Sequence, residues 1–212
     1  MLRSAFICKV YSILAMQVTL TALISGVFMA STAVQLAVQR NMWIVIMCMV
    51  LDFVLLIPMY IWRQRHPHNI VVLMTWTATN SVTVGLVCSQ YAASVVLESL
   101  VLTAGVVAGL TAYAFYATKR GKEFDHLGPI LFTSLWALIL WGFVSMFFKS
   151  TPLVRQLYAL AGTVIFAIYV VFDTFLLIKR YTIDEYIWAS VNLYLDILNL
   201  FLRILEILGR RD

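Results

Sequence analysis

The amino-acid sequence predicts an all-α membrane protein, a bundle of seven transmembrane helices with no soluble domain. Three observations carry that prediction. The mean hydropathy is +0.94. Hydrophobic residues fill 63% of the 212 positions and charged residues only 12%, against roughly 45–50% and 25% in a soluble domain. The few charges cluster in short breaks between apolar runs of about 20 residues, the length that crosses a bilayer core. A soluble core of this size cannot hide so much apolar surface, and lipid accepts it. The formal net charge of +5 therefore reflects membrane topology, not a nucleic-acid partner.

The first apolar run, Val10–Val34, is longer than the roughly 7–15-residue core of a cleaved signal and is expected to remain as a signal anchor. Its end is the vaguest stretch, 34–39. Met42–Trp62 follows, closed by Arg63-Gln64-Arg65-His66-Pro67-His68. Ile70–Ser89 and Ala92–Ala117 are the third and fourth spans. The break Lys119-Arg120-Gly121-Lys122-Glu123-Phe124-Asp125-His126 separates them from Leu127–Phe148. Gln156–Ile178 is the sixth span. It ends at Lys179-Arg180-Tyr181, and Asp184-Glu185 precedes the seventh, Tyr186–Leu208. With no fixed-period repeat and no low-complexity linker, one domain over 1–212 is the economical division. Cys8, Cys48 and Cys88 are widely separated and odd in number. They give neither a disulfide framework nor a zinc pattern and are expected to act as small hydrophobes.

Basic residues are unevenly divided between the two sides. The N-terminus and the breaks after the second, fourth and sixth spans hold Arg3, Lys9, Arg63, Arg65, Lys119, Arg120, Lys122, Lys179 and Arg180. The opposite breaks hold Arg40, Lys149 and Arg155. The positive-inside rule places the N-terminus in the cytosol. Arg210 and Arg211 fit a cytosolic tail if the seventh span re-enters and a lumenal one if it crosses; both courses stay open.

The seventh span carries Asn192, Asp196, Asn199, Arg203 and Glu206, spaced four, three, four, three. Residues at that spacing share one helix face. Facing lipid, a central Asp or Arg would cost about 2.5–3.5 kcal/mol, so the stripe is expected to face protein or a water-filled cavity. A helix lying in the interface and plain interhelical hydrogen bonding with an Arg203–Glu206 pair are the competing readings. The sixth span contains one acid, Asp173, and an acid within a membrane span asks for a partner. Asp196 on the following helix is the candidate. Two carboxyl groups in contact share a proton and titrate together; they can sense pH and can hold a hard cation transiently through oxygen. Simple snorkelling of Asp173 is the alternative. Glu98 in the fourth span and Asp52 in the second are further candidate pore-lining acids, Asp52 against a private hydrogen bond to Thr, Ser or Tyr. Gly105 and Gly109 make a GxxxG pair, which would let another backbone approach closely.

The segment from Ala189 through Asn192, Tyr194, Asp196 and Asn199 to Leu202 resembles the C-terminal signature of the Bax-inhibitor-1 family, and more narrowly the lifeguard, or Golgi anti-apoptotic protein, branch in its plant form. Further anchors run in order along nearly the whole chain: Lys9–Leu14, His66–Asn69, Leu97–Ser99, Gly109–Tyr113, Lys119–Phe124, Leu127–Pro129, Phe172–Thr174 and Ile178–Tyr181. The resemblance implies a seven-helix fold with the last helix central. It also implies a pH-sensitive calcium leak, a Golgi or endoplasmic reticulum location (other endomembranes or the plasma membrane also fit), and suppression of cell death. Asp173 and Asp196 match the family's pH-sensing pair. The basic latch that closed family members carry on the second helix has no counterpart within Met42–Trp62, and Arg63 stands only at its edge; Asp52 is a second departure. Expected partners are membrane lipid, calcium as the permeating ion, and other membrane proteins of cell-death or calcium signalling, with no cofactor.

Enzyme classes fit poorly. An intramembrane aspartyl protease would need Tyr-Asp, Gly-x-Gly-Asp and Pro-Ala-Leu elements, whereas Phe172 and Leu195 precede the two acids here. A rhomboid-type Ser–His dyad is excluded by His66, His68 and His126 all lying in breaks. The remaining alternative to ion permeation is a non-transporting protein that regulates apoptosis by binding partners.

Overall fold

The computed structural model describes residues 2–62, 65–148 and 151–209. Arg63, Lys149, Arg210 and Arg211, which enter the charge count, lie outside them. The described residues form helices throughout: α1 (Leu2–Ala30), α2 (Thr32–Arg40), α3 (Met42–Ile61), α4 (His68–Cys88), α5 (Ala93–Lys119), α6 (Leu127–Phe147), α7 (Pro152–Lys179), a 3₁₀ turn (Ile183–Glu185) and α8 (Tyr186–Leu208). Five of these, α1, α4, α5, α6 and α7, contain stretches long and apolar enough to cross a membrane, and a shorter apolar stretch, Ile46–Ile61, lies in α3. The protein is an integral membrane protein of all-helical fold.

Several element ends differ from the sequence expectation, each for a local reason. α1 starts at Leu2 instead of Val10 because its early cations find partners. Arg3 donates to the Tyr181 carbonyl, and the Lys9 ammonium sits 3.3 Å from the centre of the Tyr186 ring, so both stems lie along the helix. The vague stretch after Ala30 is a separate short helix, α2. Gln35 Nε2 donates to the Phe28 carbonyl at 2.8 Å, satisfying the orphaned end of α1. α7 starts earlier than Gln156. Thr151 caps it, its hydroxyl accepting from the Val154 N–H at 3.4 Å, and Pro152 occupies the first turn. The turn before α8 is a reciprocal capping box, in which the Thr182 N–H donates to Glu185 Oε2 at 2.8 Å. α5 ends in a left-handed Gly121 (φ +79°). There the Lys122 N–H reaches the Ala117 carbonyl and the Gly121 N–H the Thr118 carbonyl, both at 3.1 Å, a closure that favours glycine.

The chain divides into two compact units, Met1–Val96 with Tyr181–Tyr194, and Leu97–Arg180 with Leu195–Asp212. In the first, α1 and α3 pack on α4. Gly85 permits the close approach of α1, since a Cβ there would stand 3.0 Å from the Phe28 ring. In the second, α6 packs on α7, tied by the Tyr158 hydroxyl donating to the Leu138 carbonyl at 2.9 Å. The close approach that Gly105 and Gly109 would permit is not used among the described residues, where a Cβ on either would meet nothing within 4 Å. Gly105, Gly109 and Ala112 lie on the exposed side of α5.

Candidate functional site

α7 and the C-terminal part of α8 place two acids side by side in the second unit. Asp173 and Asp196 are each 6% exposed, and their carboxyl groups face each other within hydrogen-bonding reach. Two bare carboxylates would repel at that range, so the contact requires a proton between them or a cation. Among the described residues, Asp196 Oδ2 is buried with no donor, leaving an acceptor for either. Tyr169, one turn before Asp173, stands close enough to interact electrostatically with both acids. Thr174 next to the pair takes no part, since its hydroxyl turns back to the Val170 carbonyl at 2.7 Å. Among the described residues no cluster of three or more acids, histidines or cysteines forms. A cation here would meet two carboxylates and otherwise water, a weak site for calcium, which takes 6–8 oxygens.

The rest of the α8 stripe is tied down locally. Asn192 Nδ2 donates to the Tyr181 hydroxyl at 2.7 Å, and Asn199 Nδ2 donates to its own helix at the Leu195 carbonyl, 2.8 Å. Arg203 pairs with Glu206 at 3.2 Å, donates to the Tyr158 hydroxyl at 3.3 Å, and lies 4.5 Å from the centre of that ring. Gly162 is what admits it, because a Cβ there would meet Arg203 carbon and nitrogen atoms at 3.0 Å. Every residue of α8 is buried or half-buried.

The other two candidate acids stand apart from the pair. Glu98 is exposed. Asp52 accepts hydrogen bonds from the Thr79 hydroxyl and, at 3.1 Å, from Asn80 Nδ2, a private arrangement between α3 and α4.

The first unit holds a polar seam that the sequence reading passed over. Gln17, Thr21 and Ser25, four apart on α1, are buried, and the first two turn toward Thr77 and Ser81 of α4. Gln17 Nε2 donates to Thr77 Oγ1 at 3.1 Å. Ser81 Oγ lies 3.0 Å from Thr21 Oγ1, and Thr21 shares a 2.8 Å hydrogen bond with the Tyr194 hydroxyl of α8. The four-residue spacing on α1 was the signal, but none of its members is charged.

An all-helical membrane fold with a buried carboxyl pair on its last two long helices defines the class. The family model described as inhibitor of apoptosis-promoting Bax1 matches residues 3–212. The chain is 46% identical over 211 residues to a BI1-like protein of Arabidopsis thaliana, covering 100% of this chain and 82% of the relative. It is 40% identical to Protein LIFEGUARD 4 of the same plant, covering 97% and 85%. It is 33% identical to the Golgi anti-apoptotic protein of Vaccinia virus (strain Lister), covering 98% and 86%. The chain belongs to the Bax-inhibitor family, in its lifeguard branch.

Proposed function

We propose that this protein is a pH-sensitive calcium leak of Golgi or endoplasmic reticulum membranes that lowers stored calcium and suppresses cell death, with Asp173 and Asp196 as its gate and transient calcium site. The observation that carries the reading is the contact of two buried carboxyl groups from different helices. A shared proton ties α7 to α8. Its loss leaves like charges in a poorly solvated place, and a helix shift or a calcium ion relieves the repulsion. The two-carboxylate site is too poor in ligands to retain calcium, which suits an ion that must leave as readily as it enters. Asn192, Asn199, Arg203, Glu206, Glu98 and Asp52 are the candidates for the rest of the polar path, and the exposure of Glu98 suits a mouth better than a constriction. The same reading counts seven spans in one transmembrane domain by adding α3 and α8, with α8 central. The absence of any exposed residue along α8 supports that place for it.

Closed and open states bind different numbers of protons, so pH shifts their balance. Acid restores the shared proton, and flux should fall as pH is lowered. Each pKa unit of difference between the states is worth about 1.36 kcal/mol, or about tenfold in a balanced equilibrium. The test is calcium flux into liposomes holding only this protein at two pH values. Asp173→Asn and Asp196→Asn should each abolish the pH dependence, because a fixed amide hydrogen bond replaces the shared proton. Wild-type pH dependence in both variants would remove the gate. No protein-dependent flux at either pH would favour the interaction protein that the family's description, naming Bax1 as a target, also suits.

A further inference from the structure

The α5–α6 turn and the end of α7 build a small groove that the acid pair does not use. It is lined by Gly121, Lys122, Glu123, Phe175, Lys179 and Arg180 and encloses about 170 Å³. We propose that this groove binds the headgroup of an anionic phospholipid. α5 and α7 are apolar enough to cross the membrane, and the groove lies where both leave the hydrocarbon, at headgroup depth. That holds whichever compartment the turn faces, and it does not rest on the calcium reading.

The lining matches an amphiphile better than a soluble anion. Its floor is Phe175, 2% exposed, packed edge-on against Phe124 with ring centres 5.5 Å apart. The aliphatic stems of Lys122 and Lys179 beside it suit the glycerol end of a lipid. Lys122 and Lys179 stand exposed at the rim, with no ion-pair partner among the described residues. Arg180 is held in place by its bidentate pair with Asp125, so it frames the groove with its charge already matched. Glu123, the one acid in the lining, disfavours a bare phosphate and accepts from a headgroup that also carries hydroxyls, as phosphatidylinositol does. The left-handed Gly121 fixes the turn that brings Lys122 over the end of α7. Basic residues at a membrane surface attract anionic lipid; here they border a concave site with an apolar floor, which a solvated charge run lacks.

The test uses the full chain in detergent, titrated with phosphatidylinositol or phosphatidylcholine and followed by native mass spectrometry. One phosphatidylinositol should be retained in preference to phosphatidylcholine. Lys122→Ala with Lys179→Ala should weaken it about thirtyfold, from about 1 kcal/mol per surface cation at about 1.4 kcal/mol per tenfold. Lys122→Gln with Lys179→Gln, which keeps much of each stem, should lose the lipid in the same way. Arg155→Ala, at the opposite end of α7, should leave binding unchanged. Melting midpoints without anionic lipid should match wild type in the lysine variants. Undiminished binding in either lysine pair would overturn the proposal. So would an equal loss in Arg155→Ala, equal retention of phosphatidylcholine, or a soluble inositol phosphate that binds as tightly as the lipid.

Discussion

Gly85→Ala and Gly109→Ala are the same chemical change in two spanning helices, and the structure gives them opposite signs. At Gly85 the new Cβ would lie 3.0 Å from Phe28 Cδ2 and Cγ and 3.2 Å from Phe28 Cβ. The last of these atoms moves only with the α1 backbone, so no ring rotation relieves the contact. Overpacking of this kind costs about 1–3 kcal/mol, while alanine gains about 0.8–1.0 kcal/mol over glycine in a helix. The net change is about 0–2 kcal/mol of destabilisation. At Gly109 nothing lies within 4 Å, and only the helix gain remains. The two variants should differ by about 1–3 kcal/mol, with Gly109→Ala melting higher, at about 2–4 °C per kcal/mol for a chain of this size. Thermal midpoints in one detergent, read by tryptophan fluorescence, make the comparison. A Gly109→Ala midpoint at or below that of Gly85→Ala would refute the packing, and would return the close helix contact to the GxxxG pair of α5.

Two further outcomes test other links. With Cys8, Cys48 and Cys88 replaced, Lys122→Cys in sealed microsomes should react with an impermeant maleimide added outside, as a cytosolic α5–α6 turn requires; labelling only after permeabilisation would invert the topology. Tyr194→Phe removes the 2.8 Å hydrogen bond to Thr21 and should cost only about 0.6 kcal/mol, typical of a polar contact between membrane helices. A loss several times larger in a melting assay would mean that the seam acts as one cooperative network.

How much of this was legible in the sequence depends on the kind of signal. The α8 stripe and its boundaries stood out because polar residues at three- and four-residue spacing interrupt an apolar run, and α8 spans Tyr186–Leu208 as expected. The pairing of Asp173 with Asp196 was legible as a need for a partner, not as a distance. The start of α7 was missed because a hydropathy window centres on the apolar core and passes over Thr151-Pro152, a cap followed by a helix-starting proline. Gly105 and Gly109 decided nothing, because spacing shows that a close approach is permitted, whereas contact depends on which face is packed.

The seam of α1 and α4 and the acid pair are both buried polarity, yet only one of them asks for a function. A hydroxyl in a helix can satisfy itself by donating to the carbonyl one turn back. Thr21 does so to Gln17, Thr77 to Leu73 and Ser81 to Thr77, at 2.9, 2.8 and 2.6 Å. Such residues cost little in a membrane and are weak pointers to activity. An ionised carboxylate only accepts, and inside a helix the backbone N–H groups are already used. Its donor must come from another element or from solution. Asp52 obtains two, from Thr79 and Asn80 of α4. Asp196 faces a second carboxyl group and keeps one oxygen without a donor among the described residues. A proton or a cation relieves the repulsion of two carboxylates in contact, and both are exchangeable species.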